Sequence, residues 1–78
     1  MNTYYATFFS HFGAVRFFRK LRETSFSAVI MPVPRELSSS CGTCVKFQST
    51  NCDEVLSEDI EHIFLDVDGV YTLVKTNM

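Results

Sequence analysis

Two successive strand–helix–strand units, closing into one α+β domain, are what the hydrophobic patterns of this chain predict. Two observations carry that expectation, and a third has to fit it. Apolar periodicities run in the order strand, helix, strand, strand, helix, strand. The chain has 78 residues, 46% of them hydrophobic and eight of them Phe, enough for one small core and no second. The feature to be accommodated is a segregation of charge: residues 1–46 hold six Lys/Arg against Glu23 and Glu36, whereas residues 47–78 hold seven acids against Lys75. For that order in that length the natural closure is the ferredoxin-like βαββαβ fold, a four-stranded antiparallel sheet with two helices on one face. Right-handed crossovers then set the strand order as fourth, first, third, second, with residues 1–78 forming a single domain.

The elements follow in order. Tyr4-Tyr5-Ala6-Thr7-Phe8-Phe9 is short and aromatic-rich, and reads as a strand. Ser10 can cap a helix running to Thr24, with Ala14, Phe17, Phe18 and Leu21 on one face and Arg16, Arg19, Lys20 and Glu23 opposite. Basic residues in its last turns suit the negative end of the helix dipole. Ala28-Val29-Ile30-Met31 begins a second strand, which Pro32 and Pro34 end near Val33 or place on a sheet edge. A polar loop to Gly42 leads into a third strand over residues 43–48. Asn51 then caps a predicted second helix with Asp53 and Glu54 in its first turn. Val55, Leu56, Ile60, Ile63, Phe64 and Val67 fall in one arc of that helix, and Glu54, Glu58 and Glu61 lie outside it. Asp68-Gly69 is a turn before a last strand, Val70-Tyr71-Thr72-Leu73-Val74. Side by side and antiparallel, the basic end of the first helix would meet the acidic start of the second, which accounts for the charge segregation without a partner.

Composition narrows the function classes. A net charge of −2 argues against a dedicated nucleic-acid binder. Met1-Asn2-Thr3 lacks the basic start of a secretory leader, and no apolar run reaches the ~20 residues that span a bilayer. A cytoplasmic setting is therefore expected. There, an odd set of three cysteines is free, catalytic or metal-bound rather than structural.

The stretch Pro32-Val33-Pro34-Arg35-Glu36-Leu37-Ser38-Ser39-Ser40-Cys41-Gly42 puts a thiol in a polar loop, although cysteine is among the most buried residue types. Glycine after Cys41 leaves the sulfur accessible and the backbone free to approach a partner. In the predicted topology the start of the third strand lies beside the end of the first. Cys41 would then sit near the N-terminus of the Ser10-capped helix, whose unpaired N–H groups favour a thiolate. His11 and Arg35 fall at the same end as candidate electrostatic helpers.

The aromatic first strand with its Ser-capped helix, Pro32-Val33-Pro34-Arg35-Glu36, Ser38-Ser39-Ser40-Cys41-Gly42 and a short last strand centred on Tyr71 together resemble the selenium/sulfur carrier protein-like family. The likeness runs along nearly the whole chain, and the Pro-Arg-Glu…Ser-Ser-Cys-Gly segment is its specific part. It implies a small carrier rather than an enzyme with its own turnover. Cys41 would hold sulfur or selenium as a persulfide or selenosulfide, passed between donor and acceptor proteins. No cofactor is implied.

Other chemistries are read from the residues themselves. Cys41-Gly42-Thr43-Cys44 has the spacing of a thiol–disulfide pair, with Cys44 as the resolving thiol. In an extended segment, however, residues three apart lie ~10 Å from each other on opposite faces, whereas a disulfide needs Cα atoms within about 7 Å. Zinc would need four N or S ligands; Cys52 should sit at the far end of the sheet and His62 on a solvent face, so no metal site is expected. Ser39, Ser40 and His11 lack the orienting acid of a hydrolase. The non-covalent alternative is a binding or regulatory module, dimeric through an open sheet face lined by Tyr5, Thr7 and Lys46.

Overall fold

The centre of the sheet is β1 (Asn2–Phe8), which pairs with β3 on one side and β4 on the other. The computed structural model describes residues 1–24, 27–37, 39–51 and 57–76. Its elements are β1, α1 (His11–Glu23), β2 (Ala28–Pro32), β3 (Thr43–Ser49), β4 (Ile60–Val67) and β5 (Val70–Thr76). They make one five-stranded sheet in the order β2-β3-β1-β4-β5, antiparallel throughout. Aromatic and β-branched side chains suit β1 to this position, where both of its faces are covered.

Ser10 caps α1, its Oγ accepting the Gly13 N–H at 3.1 Å, and Lys20 and Arg22 occupy the last turn. Ala14, Phe17 and Leu21 face the sheet, where they meet Tyr4, Ala6, Phe8, Val45, Phe47, Ile60 and Ile63 in the main core. Phe17 contacts both Phe8 and Phe47, with ring centroids 5.2 and 5.7 Å apart. A smaller cluster lies on the other face. There the segment after β2 folds back, and Leu37 packs on Tyr5 and Cys44, with Met31, Val33, Phe64 and Tyr71 around them.

The ferredoxin-like expectation of four strands and two helices is incorrect. Residues 60–67, read as the body of a second helix, are strand β4, and α1 is the only helix among the described residues. Two observations explain the difference. The Asp68-Gly69 turn has positive φ at both residues, 53° and 84°, so it is a two-residue hairpin that brings Val67 opposite Val70. A helix cannot feed such a turn. Ile60–Val67 also supplies the second edge of β1 with a partner rich in β-branched and aromatic residues. The predicted helix start at Asp53 and Glu54, and the position of Cys52, lie outside the described residues.

The order fourth, first, third, second is corrected with it, because β4 rather than the last strand flanks β1. The adjacency of the first and third strands is as expected. The explanation of the segregated charges also changes. Instead of two helices meeting, Arg16 of α1 grips Asp59 just ahead of β4 through three N–H···O contacts of 2.6 to 3.0 Å. Finally, the sheet face expected to be open is largely closed. Tyr5 is 6% exposed and Thr7 fully buried, and the Lys46 ammonium lies 5.9 Å from the centroid of the Tyr5 ring.

Candidate functional site at Cys41

Three elements brace the turn that carries Cys41 into β3. Ser39 ties it to the end of β1, donating to the Phe8 carbonyl at 3.2 Å and accepting the Cys41 N–H at 3.3 Å. Glu61 of β4 takes two bonds from Ser40, the backbone N–H at 3.1 Å and the hydroxyl at 2.6 Å. His11, the first residue of α1, pairs through Nδ1 with Thr43 Oγ1 at 3.1 Å. Gly42 closes the turn at φ +73°, which glycine adopts at little cost, and its carbonyl accepts the Val33 N–H at 3.0 Å.

The Cys41 side chain is half-buried and packs against the α1-side core. Its sulfur lies 3.7 Å from Ser39 Oγ and can donate to the Thr43 carbonyl at 3.6 Å. Beside the turn an open cleft of about 440 Å³ runs between His11 and Val15 of α1 and Ile30, Pro32, Gly42 and Thr43. A partner thiol could approach the turn from there.

Cys44 occupies a different environment. It is fully buried in the smaller cluster on the opposite face, and its thiol lies 3.8 Å from the Pro32 carbonyl. Burial, and secondarily the neighbouring Cys41, pushes that thiol up to about 11. Both cysteines are free thiols. The pair therefore offers no ready resolving thiol, because Cys44 is shielded and serves the other face.

The remaining predicted helpers are placed unevenly. His11 is joined to the site through Thr43. Arg35 is exposed in the turn whose Leu37 N–H bonds to the Pro34 carbonyl at 3.0 Å, and no described residue pairs with it. Ser10 is engaged as the helix cap. His62 is paired with Thr76 on β5 rather than facing solvent on a helix, Nδ1 to Oγ1 2.8 Å. Among the described residues no group of three His, Cys, Asp or Glu could hold a metal ion.

Glu61 was not expected at this site. The Ser40 hydroxyl first, and its N–H after partial burial has pulled the other way, hold the Glu61 carboxyl below the usual carboxylate range. Its place comes from a register shift: Thr7 pairs with His62 and Phe8 with Ile60, so Glu61 is the extra residue of a β-bulge. Bulges re-aim side chains, and this one turns Glu61 toward Ser40. No local sequence signal marks a bulge of this kind.

A small domain whose described residues form one helix on a five-stranded antiparallel sheet, with a partly buried cysteine on a braced turn, is the class that this geometry defines. Residues 3–72 match the family described as "Putative Se/S carrier protein-like", and with most of its length matched the chain belongs to that family. No curated protein and no solved structure gives a significant match. Among the described residues no helix is long and apolar enough to cross a membrane.

Proposed function

We propose that the chain is a carrier that holds sulfur or selenium on Cys41 and hands it to a partner protein. The observation that carries this reading is the setting of Cys41: a partly buried thiol on a turn fixed by β1, α1 and β4, its sulfur near the Ser39 hydroxyl, with the following residues Gly42 and Thr43 lining an open cleft. Membership in a family described as carrier-like agrees with it. The chemistry is a displacement. The Cys41 thiolate attacks the outer sulfur of a donor's persulfide, a new S–S bond forms, the donor's S–S bond breaks, and the donor cysteine leaves as a thiolate. Delivery repeats the step with an acceptor thiolate attacking the outer sulfur on Cys41. A selenosulfide would form and discharge in the same way. No external oxidant is needed, and neither step calls on Cys44.

The thiol–disulfide alternative loses support from the burial of Cys44 and its packing on the opposite face. The dimeric binding module loses the surface it relied on, since Tyr5 and Thr7 are covered. Incubating the protein with inorganic polysulfide, then mapping peptides by mass spectrometry, tests Cys41 as the chemical site. One added sulfur on the Cys41 peptide is expected, removable by dithiothreitol. An unmodified Cys41 peptide alongside a modified Cys44 or Cys52 peptide would overturn the assignment.

A further inference from the structure

The hydrogen-bonding neighbours of the Cys41 sulfur are chemically unequal. The Thr43 carbonyl, 3.6 Å away, can only accept, so it favours the protonated thiol and opposes a thiolate. Ser39 Oγ, 3.7 Å away, can donate. Its single proton is now directed at the Phe8 carbonyl 3.2 Å away, while its lone pair receives the Cys41 N–H. One proton therefore stands between two acceptors, and loss of the proton on sulfur makes the sulfur the stronger of them, because hydrogen bonds to ions exceed those to neutral groups.

Ser39 can act this way only while the backbone from 39 to 41 keeps its shape. Ser40 is exposed and would not hold that shape alone. Glu61 holds it with two bonds, and Glu61 is delivered by the β-bulge between Thr7 and Phe8. The arrangement uses an irregularity in the central pairing of the sheet to reach one turn.

We propose that Ser39 is the hydrogen-bond donor to the ionised Cys41 sulfur, and that Glu61, through Ser40, is the positioning residue that keeps Ser39 in place. Its use in sulfur transfer rests on the carrier reading above. Its effect on the reactivity of Cys41 does not, so the two can fail separately.

The test is the pH dependence of Cys41 alkylation by iodoacetamide, followed on the Cys41 peptide in the full chain. Other titrating groups around the sulfur are Glu61 on β4, His11 on α1 and Cys44 on β3, and each is retained in the Ser39 variants. Suppose the donor favours the thiolate about tenfold, the scale of one hydrogen bond to a charged group. Its removal in Ser39→Ala then lowers the thiolate fraction about tenfold at neutral pH. The more basic sulfur recovers about threefold in intrinsic nucleophilicity. Ser39→Ala should therefore react about threefold more slowly near pH 7, plateau at a pH about one higher, and reach a plateau about threefold faster than the unmodified protein. Ser39→Thr, which keeps the hydroxyl, should restore the profile. Loss of a merely structural contact would not produce this crossing of the two curves.

Glu61→Ala should reproduce the Ser39→Ala profile. Glu61→Gln can still accept the Ser40 N–H and donate to its hydroxyl, so it should stay within about twofold of the unmodified protein. Superimposable profiles for Ser39→Ala and the unmodified protein would overturn the role of Ser39. A Glu61→Gln protein as slow as Glu61→Ala, or faster than the unmodified protein, would overturn positioning in favour of the charge itself. If the Ser39 profiles behave as expected while polysulfide leaves Cys41 unmodified, the donor assignment stands and the carrier reading falls.

Discussion

Cys41 and Cys44 are three residues apart and serve opposite faces of the same sheet. Cys41 packs beside the core under α1, Cys44 against Tyr5 and Leu37. Alternation within β3, which begins at Thr43, turns Cys44 to the face opposite Val45, whereas Cys41 lies in the turn before the strand and packs on the Val45 side. The two thiols should therefore differ sharply in reactivity. Near pH 7.5 a buried thiol raised to about 11 is ionised in well under about one molecule in a thousand. Iodoacetamide should label Cys41 first and leave Cys44 untouched until the protein unfolds, and Leu37→Ala, which uncovers Cys44, should raise its labelling. Equal labelling of the two in the folded protein would count against the distinction.

The same burial makes folding stability depend on alkaline pH. The folded protein keeps the Cys44 proton up to about 11, whereas an unfolded cysteine loses it near 8.5. Between those values the folded state binds more protons, so stability is full below about 8.5 and declines as pH rises through about 11. Over the full range the loss is on the order of 3 kcal/mol. Tyr71, raised chiefly by its partial burial, adds to it with the same sign at higher pH. Urea midpoints at pH 8 and pH 10.5 measure the effect. Cys44→Ala should flatten the decline, and an equally steep decline in that variant would assign it elsewhere.

Gly13 offers a mutation whose sign is reversed by its surroundings. Alanine in place of a helical glycine ordinarily stabilises by up to about 1 kcal/mol. Here a Cβ would lie 2.7 Å from the Asp59 Cβ and 3.0 Å from its Cγ, so Asp59 must move. Moving it loosens the fork with Arg16, which holds the Asp59 carboxyl below the usual range. Gly13→Ala should therefore lower stability by about 1 to 2 kcal/mol, or roughly 5 to 10 °C in Tm. A Tm that is unchanged or higher would show that the segment at Asp59 yields freely.

How much of this was legible in the sequence depends on how local each signal is. β1, α1, β2 and β3 announce themselves through aromatic runs, a Ser10 cap and two prolines, and all four occur with bounds close to those expected. The second half misleads because two periods overlap over a short stretch. Ile60, Ile63, Phe64 and Val67 fit one helical arc, yet Ile63, Leu65 and Val67 also alternate as one face of a strand. A second helix also offered an explanation of the segregated charges, which the Arg16–Asp59 pair now supplies in part. Asp68-Gly69 held the decisive information, since a two-residue hairpin needs strands on both sides. At the site, Cys41 was visible from the polar loop around it. Glu61 was not, because its role depends on a bulge set by the pairing of β1 with β4, a contact between residues far apart in the chain.

The carrier account is tested most directly by loading Cys41 from a sulfur-donating protein. The chain is incubated with a cysteine desulfurase and cysteine, and intact mass and peptide maps are recorded before and after dithiothreitol. The account predicts a gain of one sulfur atom, located on the Cys41 peptide, reversed by reductant and absent from Cys41→Ser, with Cys44→Ala loading normally. No gain on Cys41, or a gain that persists in Cys41→Ser, would contradict it.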